Sequence, residues 1–176
     1  MKAFKMMKEL FGGFDEVGAT SVDCKNFRRG INLFIREYDA EMVVELLMNK
    51  QEYINGFSCD YFANDDGNLS GLFWADEVAK HNYLSFGDVI SFYATFRSNK
   101  YKMVFVPFAR IDTHHRSVTL AAALLSNETA KSYGWLLRAF KKAFGHEPMV
   151  VVTNQDPAMK IDVEKEFSNS RHRLCM

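Results

Sequence analysis

A mixed-sheet α/β (α+β) fold is predicted for this 176-residue chain by three observations. Residues 88–95, 101–112 and 117–126 are apolar, β-branched or aromatic runs joined by short polar turns, as in an antiparallel meander. Helix-period segments then alternate with two further runs, 149–153 and 171–175, as crossover connections in one sheet require. Sixteen Phe residues supply the large apolar side chains that a core on such a sheet needs. The length suits one domain, or one domain with a small appendage.

The elements follow in order. Phe27, Ile31, Phe34 and Tyr38 recur at helix spacing, with Asp23 as the expected cap. Asp39 is a second cap candidate, followed by a stripe of Val43, Leu46 and Leu47. Residues 56–76 read as a hairpin turning at Asn64-Asp65-Asp66-Gly67-Asn68, and a short helix is expected over roughly 75–84. In the second half, Arg97-Ser98-Asn99-Lys100 and Thr113-His114-His115-Arg116 are the two turns of the meander. Asn127 is the expected cap of a helix carrying Tyr133, Leu136, Leu137, Phe140 and Phe144 on one face and stopped by Gly145. MVVVT (149–153) reads as a strand buried on both faces. Asp156-Pro157 opens a last helix, with Asp as cap and Pro in the first turn, whose buried side is Met159, Val163 and Phe167. RHRLC (171–175) is one more strand. Three antiparallel strands, then helix, strand, helix and strand, make the ribonuclease H-like arrangement, preceded here by a small helical and hairpin segment.

Composition excludes several classes. No run approaches the roughly 20 apolar residues of a membrane span, and Lys8 and Glu9 interrupt the apolar start, making it a poor signal peptide. Cys24, Cys59 and Cys175 are odd in number and far apart, which favours free thiols in a reducing compartment. The net charge of zero is unevenly spread: residues 1–84 hold 9 Lys/Arg against 14 Asp/Glu, and residues 85–176 hold 13 against 8. A basic face on the second half and two mutually attracting solvated surfaces both account for that asymmetry.

The run FYATFRSNKYKMVFVPF (92–108), followed by LLSNE (124–128) and VVVTNQDP (150–157), closely resembles the Mutator-like (MULE) transposase domain of the plant far-red impaired response and far-red elongated hypocotyl family. The resemblance covers about residues 68–176, and residues 21–67 are similar to the stretch that precedes this domain. Two domains are accordingly expected: an N-terminal helical and hairpin segment, 1–67, and the transposase domain, 68–176. The family implies a nuclear setting and a role in regulating DNA-templated transcription. Its zinc-binding modules are not seen in this chain, and only the first half of a Cys-x-x-His pair is reached, at Cys175.

Catalytic members of this class hold two Mg²⁺ ions on three carboxylates, because Mg²⁺ demands hard anionic oxygens and two ions about 4 Å apart stabilise an in-line displacement. The resemblance places the first acid in a Phe-Asp-x-Thr motif, where this chain has Phe92-Tyr93-Ala94-Thr95, and the second at the first acid of Thr-Asp-x-Asp, where it has Thr153-Asn154-Gln155-Asp156. Tyr93 and Asn154 thus occupy the two acid positions, and the third, a Glu, is expected beyond residue 176. A phenol and an amide are neutral at pH 7. Asp88, an odd five residues before Tyr93, is expected on the opposite sheet face, and Asp156 reads as a helix cap before it reads as a metal ligand. No catalytic residue and no cofactor is therefore expected; Mg²⁺ is implied only for intact relatives.

The remaining candidates have bland readings beside functional ones. Arg97, Lys100 and Lys102, with Phe96 and Tyr101, suit contacts to a phosphate backbone or simply a solvated hairpin tip. His114-His115 reads as a polar turn rather than a metal pair, and His172 with Cys175 as a strand histidine and a buried thiol rather than a zinc fragment. Lys141-Lys142 complements a helix C-terminus. The leading expectation is a truncated, catalytically inactive transposase-derived domain. Its expected partners are DNA, related family proteins or a second copy, since truncation would expose apolar sheet surface, with no membrane or small-molecule substrate. The rivals are a metal-dependent nuclease and a non-catalytic DNA-binding module.

Overall fold

A computed structural model describes residues 9–10, 12, 20–86, 88–95, 99–112, 114 and 116–175. The chain divides into two compact units, Met1–Val43 and Val44–Met176. Most of the described part of the first unit belongs to α1, Ser21–Tyr53, a helix of 33 residues. The two helices expected around Asp23 and Asp39 are therefore one. Nothing near Asp39 ends a helix: no Pro occurs in the stretch and no Gly lies between 31 and 53. Asp23 is not the cap itself. Thr20 is, and the two close a reciprocal capping box: Asp23 Oδ2 accepts from the Thr20 N–H at 2.8 Å, and Thr20 Oγ1 accepts from the Asp23 N–H at 3.2 Å. The Thr20 hydroxyl, which donates to Asp23 Oδ2 at 2.5 Å, and then the Thr20 N–H hold the Asp23 carboxyl below its ordinary range.

The second unit is built on one seven-stranded sheet. Its strands are β1 Ser58–Ala63, β2 Leu69–Ala75, β3 Val89–Phe92, β4 Val104–Ile111, β5 Ser117–Leu125, β6 Val150–Thr153 and β7 Arg171–Leu174. They lie in the order β1-β2-β5-β4-β3-β6-β7. Pairing is antiparallel from β1 through β3 and parallel for β3 with β6 and β6 with β7. The part of the sheet from β5 to β7 has the order and senses expected from the sequence and is consistent with a ribonuclease H-like arrangement. The expected hairpin is present as β1 and β2, and β2 pairs with β5, so it extends the same sheet. The sequence boundary at 67/68 falls in the turn between these two paired strands.

Helices α2 Glu77–Phe86, α3 Ala130–Phe144 and α4 Pro157–Glu166 complete the unit. Asp76 caps α2, its Oδ1 accepting from the Ala79 N–H at 2.7 Å. In α3 the cap is Thr129, not Asn127: Thr129 Oγ1 accepts from the Ser132 N–H. Asn127 acts one step further out, its Oδ1 accepting from the Thr129 and Ser132 hydroxyls at 2.8 and 2.6 Å. Gly145 ends α3 in the left-handed region at φ 82°, donating to the Lys141 carbonyl.

The core lies between one sheet face and the helices. Phe92, Phe108 and Phe140 form a ring column with centroid spacings of 4.8 Å, continued by Phe144 at 4.3 Å from Phe140. Tyr83 of α2 meets Phe140 edge-on at 5.4 Å. Tyr133, Leu136, Leu137, Met159, Val163 and Phe167 are buried as expected. Gly71 of β2 is there for space: a Cβ would collide with the Phe62 ring and come within 2.8 Å of Trp135 on α3. β6 departs from the expectation of two buried faces. Val151 and Thr153 are buried and Val150 and Val152 half-buried, Val151 lying in the core cluster with Met159, Val163 and Phe167 of α4.

Candidate functional site

In open α/β sheets, binding crevices form beyond the carboxyl ends of parallel strands. Here the adjacent parallel strands β3 and β6 end together. Ser91 pairs with Val152, so two residues further on Tyr93 comes level with Asn154. The sheet thus brings together the two positions where the family pattern places its first two acids.

A proline shapes this end. β3 and β4 are in register at Phe92 and Phe108, and the same register returns where the Thr95 N–H donates to the Phe105 carbonyl at 2.9 Å. Between these points Tyr93 faces Pro107, which has no N–H to give, so the regular ladder stops at Phe92. β4 is a central strand, where proline is unusual, and its ring is accommodated because the neighbouring strand ends there. Tyr93 lies on the face away from the core, 49% exposed.

Asn154 is exposed. Asp156 caps α4: its Oδ1 accepts from the Met159 N–H at 3.0 Å and its carbonyl from the Lys160 N–H at 3.1 Å. Buried Thr153, one residue before Asn154, ties the end of β6 to β7. Its hydroxyl donates to the Asn154 carbonyl at 2.9 Å and lies 2.7 Å from His172 Nε2. With its one proton committed, Thr153 must accept from His172, which selects the Nε2–H tautomer. Burial pushes the His172 pKa below its ordinary value, with Lys160 adding to the shift and Glu164 opposing it. The hydrogen bond places a proton on Nε2, and the lowered pKa favours the neutral form of the ring.

Asp88 stands at the other end of β3, where its carbonyl accepts from the Val150 N–H at 2.8 Å. Five residues of strand, about 16 Å, separate it from Tyr93, so distance as well as sheet face keeps it from this site. Two Mg²⁺ ions do not fit the donor set found here. One neutral phenol, one neutral amide oxygen and one carboxylate engaged as a helix cap offer little to offset dehydration of a divalent ion. Among the described residues, no three His, Cys, Asp or Glu side chains are grouped to hold a metal.

The basic loop leads on from this same end of β3. Lys100 and Lys102 are exposed; Arg97 and Phe96 lie outside the described residues. Asn99 organises the loop, its Oδ1 accepting from the Tyr101 and Met103 N–H groups at 3.1 and 3.0 Å. Lys102 adopts φ 54°. Lys100 Nζ donates to the Tyr101 hydroxyl at 2.5 Å and sits 4.4 Å from the ring centroid. A cation resting on an aromatic ring beside a second cation suits a phosphate chain with unstacked bases.

The other candidates resolve into structure. Asp112 staples the β4–β5 turn, its Oδ1 accepting from the His114 and Arg116 N–H groups at 2.7 and 2.9 Å. Backbone donation from Arg116 is the main cause of its lowered pKa. His115 lies outside the described residues. Cys175 is not the buried thiol that was expected; it follows an edge strand and is exposed. The buried thiol is Cys59, pushed up to about 11 by burial and by Asp60. Lys142 of α3 reaches Asp60 at 3.1 Å and Lys141 reaches Glu147 at 3.9 Å. Sequence reasoning missed a cavity of about 600 Å³ at the far end of β3 and β4, lined by Asp88, Ser91, Arg110 and Asp112 among others. The available signal was Arg110, a charged residue on the same alternation as buried Val104, Val106 and Phe108.

Strand order and strand sense define a mixed-sheet α/β domain consistent with a ribonuclease H-like arrangement. The chain belongs to the MULE transposase domain family, whose model matches residues 89–176. Its relatives in Arabidopsis thaliana include FAR1-RELATED SEQUENCE 5, 31% identical over 97% of this chain and 22% of the relative. FAR1-RELATED SEQUENCE 2 is 33% identical over 85% of the chain and 19% of its own length, and FAR-RED IMPAIRED RESPONSE 1 is 29% identical over 99% and 22%. The likeness therefore continues upstream of the family match into the hairpin and α1. The chain spans about a fifth of the length of these relatives. No helix among the described residues is long and apolar enough to cross a membrane.

Proposed function

We propose that this transposase-derived domain does not cut DNA and serves as a non-catalytic module in the regulation of DNA-templated transcription in the nucleus. The observation that carries the reading is the β3–β6 register, Ser91 with Val152, which brings Tyr93 level with Asn154 just beyond the strand ends. The strand architecture of a two-metal site is kept while the charges that would hold the metals are replaced. The far-red-response names of its relatives support the regulatory setting. Exposed Lys100 and Lys102 beside the same strand ends support contact with a nucleic-acid backbone.

Incubating the purified chain with supercoiled and linear DNA in Mg²⁺ or Mn²⁺ tests the first half of the proposal. Substrate should remain intact; cleavage that Asp156→Ala abolishes sinks it. Salt-dependent binding before and after the triple change of Arg97, Lys100 and Lys102 to Ala tests the second. Affinity should fall and the dependence of log K on log salt should become shallower. An unchanged slope removes the loop from the interface.

A further inference from the structure

The sheet ends at β7, and that strand leaves one edge open. Among the described residues, no strand pairs with β7 on the side away from β6. In a parallel ladder the N–H and C=O of one residue point to the same neighbour, and successive residues alternate. The Arg171 and Cys175 N–H groups donate to the Met149 and Thr153 carbonyls of the neighbouring segment, both at 2.7 Å. Arg171, Arg173 and Cys175 therefore turn their backbone groups to β6, and His172 and Leu174 turn theirs to the open edge. One outward group is covered: the Arg173 guanidinium donates to the His172 carbonyl at 3.2 Å.

The side chains are sorted as well. His172 lies on the core face, where its ring meets the Thr153 hydroxyl, and exposed Leu174 shares that face by alternation. Arg171 and Arg173 are both exposed and share the opposite face. Residues 168–175 contain no acid, and residues 149–155 alongside carry no charge.

An open edge is a template for a further strand, and a charged side chain folded over it guards against indiscriminate pairing. Arg173 is such a guard, and its sign sets which strand can pass. A neutral strand must displace the guanidinium from the His172 carbonyl and offers it nothing in return. A strand with carboxylates on the matching face gives Arg171 and Arg173 charge-assisted partners and frees that carbonyl. A second copy of β7 would set arginine against arginine.

We infer that β7 is a docking edge for an extended acidic segment of another protein, which adds to the sheet as a further strand. Its backbone pairs with His172 and Leu174, and its alternate acidic residues meet Arg171 and Arg173. None of these residues enters the DNA reading, and either can fail alone.

The probe is a short, end-capped peptide alternating Glu with Val, titrated into the full chain and followed by amide NMR. The His172 and Leu174 amide signals should move downfield as they gain acceptors, and those of Arg171 and Arg173, already turned to β6, should move less. The same peptide N-methylated throughout keeps every charge and loses its backbone donors, so binding should weaken by about tenfold or more. Leu174→Pro deletes an outward N–H without touching the β6 ladder and should weaken binding similarly, with thermal melting showing that the sheet persists. If that variant does not fold, Arg173→Gln replaces it, keeping a donor for the His172 carbonyl and losing the charge, and it too should bind more weakly. Equal affinity for the N-methylated peptide, or for a peptide with Lys in place of Glu, overturns the inference. So does the absence of binding, a response of these amides to DNA but not to the peptide, or their engagement in a dimer without it.

Discussion

Helices α1 and α3 look alike in sequence and meet opposite fates. Both carry aromatic and aliphatic residues at helix spacing. In α3 the stripe of Tyr133, Leu136, Leu137, Phe140 and Phe144 is buried against the sheet and the neighbouring helices, and in α1 Phe27, Ile31, Tyr38 and Met42 stand exposed. Periodicity says which face of a helix must be covered; it does not say by what. The surroundings differ in kind. α3 follows β5 through a short capped turn and returns to β6, so chain connectivity holds its apolar face over the sheet. α1 is a single run of 33 residues, and its charge is sorted along its length, basic over 25–36 and acidic over 37–46.

The largest contrast should appear on truncating one ring in each stripe. Phe140→Ala removes the centre of the aromatic column and should cost about 3–5 kcal/mol by denaturant unfolding. Phe27→Ala, at an exposed position, should cost less than about 0.5 kcal/mol in the same measurement. Equal losses from the two would erase the distinction. Next, Gly71→Ala should cost about 1–3 kcal/mol, because its new methyl group strikes Phe62 and Trp135. Gly30→Ala in α1, where an added Cβ meets nothing within 4 Å, should instead gain up to about 1 kcal/mol.

Caps give a smaller separation. Thr129→Ala strips both the Ser132 N–H and the Asn127 contact and should cost about 1 kcal/mol. Thr20→Ala should lower the helicity of α1 and leave the melting of the sheet unit almost unchanged. The smallest effect is in pH. His172 is held neutral, with its pKa below the unfolded value of about 6.5. The unfolded state therefore binds the proton first, and stability falls as pH drops below about 6.5. His172→Gln should flatten that limb of the stability profile in thermal melts at pH 5 and pH 7.

What the sequence disclosed and what it hid divide along the same line. Local signals were legible: Gly145 as a stop, Asp156-Pro157 as a start, and the Asn64–Asn68 turn all act as their chemistry dictates. The meander and crossover order was legible because short connections leave few alternatives. Contacts between distant segments were not. Nothing in the hairpin announces that β2 pairs with β5, nor that Gly71 makes room for Trp135 across a separation of 64 residues. Two Asp residues were credited as caps of separate helices because either suits that role; only the unbroken run of helix formers around Asp39 argued otherwise. At the site, the family pattern pointed to Tyr93 and Asn154. Their side-by-side position rests on the β3–β6 register and the ladder break at Pro107, both properties of the folded sheet.

The account rests on those paired strand ends lacking the charge to hold divalent ions. Paramagnetic broadening of backbone amide signals by substoichiometric Mn²⁺ reports on this directly. In the unaltered chain, signals from residues 93–95 and 153–156 should broaden no more than those of other exposed segments. In the Tyr93→Asp, Asn154→Asp variant, they should broaden selectively. Selective broadening there in the unaltered chain would contradict the account.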